Sequence, residues 1–104
     1  MTEKKIYRYR VSPERWNEFI EIQKKAHTLY KKHISYEVVY IQSYESFGYI
    51  TEIQTYPDRE TAMMADRLIN LEPELKILFD KFFSLLVLGD NKIIEESGFV
   101  VLKL

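Results

Sequence analysis

The apolar positions of the chain change period as it is read. In Ile6-Tyr7-Arg8-Tyr9-Arg10-Val11, Tyr7, Tyr9 and Val11 alternate with Ile6, Arg8 and Arg10, a period of two that predicts a strand. Ser12-Pro13-Glu14 then supplies an N-cap hydroxyl, a proline at the first helical position and an acid in the first turn. From there the period is 3.6. Trp16, Phe19, Ile20, Gln23, Ala26, His27, Tyr30 and Ile34 fall in one stripe, with the charged residues outside it, which predicts a helix over about 13–33. Its lysine pairs are interleaved with acids, and Glu21 stands four residues before Lys25 in the favourable orientation, so they read as a solvated face.

Tyr36 to Gln42 and Phe47 to Tyr56 are β-rich runs joined by the polar segment Ser43-Tyr44-Glu45-Ser46, a hairpin pattern. After Pro57, Asp58 can cap a helix whose stripe is Ala62, Ala65, Leu68 and Ile69 and which stops near Asn70. Pro73 opens another helical stretch with Leu75, Leu78, Phe79, Phe82, Leu85 and Leu86 on one face, so the second helical region is two pieces meeting at a bend. Gly89-Asp90-Asn91 is a turn, and a last strand is expected within 93–104, clearest over Phe99 to Leu102.

The order β-α-β-β-α-β predicts one α+β domain over 1–104, a ferredoxin-like sandwich with a four-stranded antiparallel sheet and both helical regions on one face. Apolar or aromatic residues occur on both faces of the strands, so the far face calls for a partner, and sheet-to-sheet homodimerisation supplies one.

Composition narrows the function classes. The 104 residues are 46% hydrophobic and 30% charged with a net charge of -1, so bulk electrostatics draws the chain to neither nucleic acid nor an anionic membrane. Cysteine is absent and only two histidines are present, which excludes disulfides, thiolate metal sites and a cysteine nucleophile. No metal or cofactor is expected. The longest apolar run, Phe82 to Leu88, is too short to span a membrane, and a cytoplasmic protein is the expectation.

Gln23 and His27 are the chief anomaly, two polar residues one turn apart inside an apolar stripe. Burial there requires hydrogen-bond partners, and Glu52, Gln54 or an ordered water are expected for His27. A satisfied core histidine is the structural alternative. Glu52, Gln54 and Tyr56 share a face of the third strand, and Arg8 and Arg10 share a face of the first. An Arg–Glu pair across the ladder is one reading; a pocket with arginine as anion clamp and Glu52 or His27 as proton acceptor is the other. Ser46-Phe47-Gly48-Tyr49-Ile50 together with Ile6-Tyr7 resembles the aromatic submotifs of RNA-recognition domains, in which bases would stack on Tyr7, Phe47 and Tyr49. Glu45 and Ser46 replace the basic residue and glycine of that pattern, and no nucleic-acid partner is expected.

The whole layout, including Tyr56-Pro57-Asp58-Arg59-Glu60 and the stretch from Arg67 through Glu72-Pro73-Glu74-Leu75, resembles the dimeric α+β barrel superfamily and its NIPSNAP-like branch. That superfamily includes antibiotic-biosynthesis monooxygenases, which oxidise phenolic substrates without metal or flavin, and haem-degrading enzymes. Where the monooxygenases carry Trp and Asn on the third strand, this chain has Tyr56 and Glu52. The Asn and His of the haem degraders have no counterpart near Tyr7 or at Asp66 and Arg67. The resemblance implies that the Glu52 and Tyr56 face looks toward the helices and forms a ligand cleft, whereas polarity alone would turn Tyr49, Thr51 and Ile53 inward. It gives a homodimer with a small-molecule site drawn from His27, Gln23, Glu52, Gln54, Tyr56 and Trp16, the ligand a small aromatic or polar metabolite. Whether the protein is an enzyme stays open, and a non-catalytic structural or regulatory dimer is the alternative.

Overall fold

The computed structural model describes residues 1–104. Its elements are strand β1 (Glu3–Arg10), a 3-10 turn (Pro13–Arg15), helix α1 (Trp16–Lys31), strands β2 (Glu37–Gln42) and β3 (Tyr49–Tyr56), helices α2 (Arg59–Leu71) and α3 (Pro73–Ser84), and strand β4 (Ile94–Phe99). The strands form one antiparallel sheet in the order β2-β3-β1-β4, the ferredoxin-like arrangement. α1 and α2 both pack against α3.

Local chemistry accounts for most boundaries. The Asp58 carboxylate accepts a hydrogen bond from the Thr61 amide at 2.7 Å and caps α2. Pro73 opens α3 where its missing N–H costs nothing. Ser12 differs from expectation, because its side chain caps nothing. Instead its carbonyl accepts from the Arg15 amide at 2.9 Å, and its amide donates to the Leu85 carbonyl at 2.8 Å. The chain therefore enters α1 through a 3-10 turn held by the segment after α3. Gly48 has a φ of +91°, and a Cβ there would lie 2.4 Å from the Val11 carbonyl oxygen. Only glycine lets the hairpin tip fold against the end of β1, where the Val11 amide donates to the Gly48 carbonyl at 2.8 Å.

The last strand lies earlier than its composition suggested. Glu3 pairs with Phe99 and Arg8 with Ile94, so β4 ends where the most β-prone run begins. Val101, Leu102 and Leu104 project into solvent beyond the edge of the sheet. Register with β1, rather than propensity, selects the paired residues.

The main core gathers Tyr9, Val11, Phe19, Ile50, Leu68 and Phe82 between sheet and helices. Ile22 and Leu29 are buried although they lie outside the predicted stripe of α1. Because α1 touches α3 as well as the sheet, its buried arc is wider than one stripe. A second cluster joins Tyr36, Tyr56, Ala62 and Ala65. On the other side of the sheet, Val39, Ile53 and Ile6 stand in one cross-strand row, with Ile41 and Ile94 in the next. Val39, Ile41 and Ile94 are about half exposed.

Candidate functional site

Direct pairing in an antiparallel sheet puts partners on the same face. Tyr7 lies opposite Glu52, Tyr9 opposite Ile50 and Lys5 opposite Gln54, and this is the face the helices cover. Glu52 and Tyr56 are buried there, at 8% and 2% exposure, as the family resemblance implied and as polarity alone did not.

Above this face is a cavity of about 290 Å³. The sheet supplies its floor through Lys5, Tyr7, Tyr9 and Glu52, and α1 supplies Gln23, Ala26 and Tyr30. α3 closes the side with Leu75, Leu78, Phe79 and Phe82, while Asp66 comes from α2 and Glu95 from β4.

The floor is a hydrogen-bonded chain. Tyr9 donates to Glu52 Oε1 at 2.6 Å, Gln54 Nε2 donates to Glu52 Oε2 at 2.6 Å, and Tyr56 donates to Gln54 Oε1 at 2.6 Å. Burial pushes the Glu52 carboxyl above its ordinary value, while the bonds from Tyr9 and Gln54 pull it the other way. Burial also raises the Tyr9 phenol, and the adjacent Glu52 adds to the effect. Tyr30 is pushed up to about 12, chiefly by burial. The tyrosines therefore stay protonated donors at neutral pH, and Glu52 is an acid in the cavity whose hold on its proton burial strengthens.

Of the six residues proposed from sequence, Gln23, Glu52, Gln54 and Tyr56 line the cavity. Gln23 Oε1 accepts a hydrogen bond from Tyr40 at 2.7 Å. His27 does not line it. Its Nδ1 lies 3.0 Å from the Tyr36 hydroxyl, not beside Glu52 or Gln54, and Tyr36 stacks on Tyr56 with ring centroids 5.6 Å apart. The partner expected for His27 is thus corrected: the side chain sits against Tyr36 in an aromatic cluster, outside the cavity lining. Trp16 also lies outside, with its ring 5.3 Å from Phe19 and 5.4 Å from Phe47.

The arginine clamp is overturned as well. Arg8 lies opposite Thr51 and Arg10 opposite Tyr49, on the face away from Glu52. Arg8 pairs with Glu96 at 3.0 Å, and Arg10 with Asp90 at 2.8 Å. The cation inside is Lys5, buried and bonded to Asp66 and the Ala62 carbonyl, with its ammonium 5.4 Å from the centre of the Tyr56 ring. Sequence reading began the strand at Ile6 and missed Lys5, although the same alternation carried two residues back would have placed it beside Tyr7 and Tyr9. The aromatic platform for RNA does not assemble either. Tyr7 faces the helices, Tyr49 lies under Arg10 on the opposite face, and Phe47 packs on Trp16.

No group of three or more His, Asp or Glu side chains is placed to hold a metal ion. No helix is long and apolar enough to cross a membrane.

Comparison with known proteins establishes the fold. No protein-family model matches the sequence, and a search of curated proteins finds no relative. Among solved structures, the chain resembles a candidate antibiotic biosynthesis monooxygenase from Caulobacter crescentus (TM-score 0.78, 11% identity, 96% of this chain and 90% of that one). It also resembles a variant of SnoaB, a cofactor-independent oxygenase from Streptomyces nogalater (TM-score 0.74, 10% identity, 99% and 96%). A third likeness is to a NIPSNAP family protein of unknown function from Agrobacterium tumefaciens (TM-score 0.70, 14% identity, 95% and 87%). The chain has the α+β fold these proteins share, a four-stranded antiparallel sheet with helices.

Proposed function

We propose that the chain is a cytoplasmic protein that binds a small aromatic or polar metabolite in the cavity between α1 and the sheet, as a homodimer joined through the outer sheet face. The observation that carries the ligand reading is the buried Glu52 carboxyl at the floor of about 290 Å³ of open space with largely hydrophobic walls. A cavity with apolar walls and a few converging polar groups is the usual form of a small-molecule site. Glu52 can accept a hydrogen bond or a proton from a ligand, and the upward shift of its carboxyl runs in the direction a general base requires. A structural dimer with a filled interior accounts less well for the open space. The oxygenase among the fold's neighbours supports a phenolic ligand, but Glu52 and Tyr56 depart from the monooxygenase residues, so oxygenation itself is not part of the proposal. The dimer is supported by the apolar row Val39, Ile53 and Ile6, which this chain's own helices leave uncovered.

Native mass spectrometry of freshly purified protein, followed by thermal melts with simple phenols, tests both parts. The expected result is a dimer of 12.5 kDa subunits stabilised by the phenol, by about 2.7 kcal/mol at a hundredfold excess over Kd. Ala26→Phe, which fills the cavity from α1, removes the shift. A concentration-independent monomer overturns the dimer. No retained molecule and no shift with any small ligand overturn the binding site.

A further inference from the structure

The register sets four side chains in one row across the helix-facing side of the sheet: Tyr40 opposite Glu52, Glu52 opposite Tyr7, and Tyr7 opposite Glu95. Tyr7 stands between two carboxylates, and its hydroxyl lies 3.5 Å from Glu95. All three of Glu52, Tyr7 and Glu95 line the cavity. Lys5, the lining's cation, is taken up by Asp66. Neither Glu52 nor Glu95 forms an ion pair, and both arginines of β1 are turned to the other face. The cavity therefore has carboxyl groups with no cation of their own to balance them. Its walls include Tyr30, Phe79 and Phe82, whose ring faces attract cations. Two strand spacings separate the backbones of Glu52 and Glu95, about 10 Å, so the pair fits an organic cation rather than a shared metal ion.

We propose that the cavity selects a protonated organic amine, its ammonium hydrogen-bonded to Glu52 beside Tyr7 and its apolar body lying against Phe79, Phe82 and Tyr30. This rests on the reading above that the cavity is a ligand site, and it names the ligand's charge. Each Glu52 oxygen accepts one bond from the protein and keeps a lone pair for a further donor. The carboxyl is already desolvated and fixed by Tyr9 and Gln54, so binding need not order it. Glu95, on the exposed edge strand, favours approach of a cation and opposes that of an anion.

Isothermal titration at neutral pH with three probes of one shape, 2-phenylethylamine, 2-phenylethanol and phenylacetate, tests the proposal. The amine should bind about tenfold or more tightly than the alcohol, as a charge-assisted bond to a buried acid implies, and phenylacetate should give no heat. Glu52→Gln should bring the amine down to the alcohol's affinity. Glu95→Gln, at a solvent-exposed position that does not endanger folding, should weaken the amine about twofold and leave the alcohol unchanged. Equal affinity for amine and alcohol, tighter binding of phenylacetate, or full amine affinity in Glu52→Gln overturns charge selection while the cavity reading stands. If none of the three binds, both fall.

Discussion

The two faces of the sheet carry the reverse of the polarity their surroundings suggest. The covered face holds Lys5, Glu52 and Gln54 among its tyrosines, whereas the open face holds Ile6, Val39, Ile41 and Ile53 beside Arg8 and Arg10. Inside, no buried side-chain nitrogen or oxygen is left without a partner. Outside, Arg8 and Arg10 pair with acids while Val39 and Ile41 are about half exposed. Polarity therefore does not identify the packed face of a strand. What identifies it is whether the polar groups can be satisfied there.

The largest effect that could break this contrast is on the open face. Ile53→Asp should convert the proposed dimer to a 12.5 kDa monomer in light scattering while leaving the cavity intact, since Ile53 points away from it; an unchanged dimer would mean that copies meet elsewhere. On the covered face, His27→Ala leaves the Tyr36 hydroxyl without its partner and should lower stability by about 1 to 3 kcal/mol in chemical denaturation. Ligand affinity should not change, because His27 lies outside the cavity, and a loss of affinity would return it to the site.

A subtler contrast is one of pH. Glu52 has a folded-state pKa raised above its ordinary 4.5, so above that value the unfolded chain loses its proton first. Stability should then fall as pH rises from about 4.5 through the folded-state value, by at most about 1.4 kcal/mol per pH unit. Melting curves of Glu52→Gln should lack this part of the slope, and parallel wild-type and variant profiles would contradict it. The smallest effect belongs to Arg8→Ala. Its ion pair with Glu96 is partly exposed and should be worth under about 1 kcal/mol in an isolated subunit. A larger loss in the dimer than in the Ile53→Asp monomer would sharpen the case that this face is covered.

Elements with a local cause were legible from sequence. Asp58 and Pro73 mark helix starts by chemistry that acts within one turn, and the alternation of Tyr7 and Tyr9 needs only the pleat. Features decided by distant partners were not. The burial of Ile22 depends on α3, the end of β4 on register with Glu3, and the partner of His27 on where Tyr36 falls just before β2. The candidate site was legible in part. Glu52, Gln54 and Tyr56 share a face by their spacing, but Lys5 and Asp66 lie 61 residues apart, and nothing in either neighbourhood announces the other.

The order β2-β3-β1-β4 also governs the sequence of events when the chain is made. β1 leaves the ribosome first, yet its two neighbours are β3 at 49–56 and β4 at 94–99. A central strand with both edges unpaired is sticky, and this one must wait for β3 on one side and for the much later β4 on the other. The β2–β3 hairpin and the helices can form while synthesis continues, but the side of the cavity that carries Glu95 can close only after residues 94–99 have emerged, through contacts with β1 that are distant in sequence and form slowly. The row of residues that shapes the site therefore waits on β4, and a nascent chain stalled before residue 94 would present Tyr7 and its neighbours on an open edge.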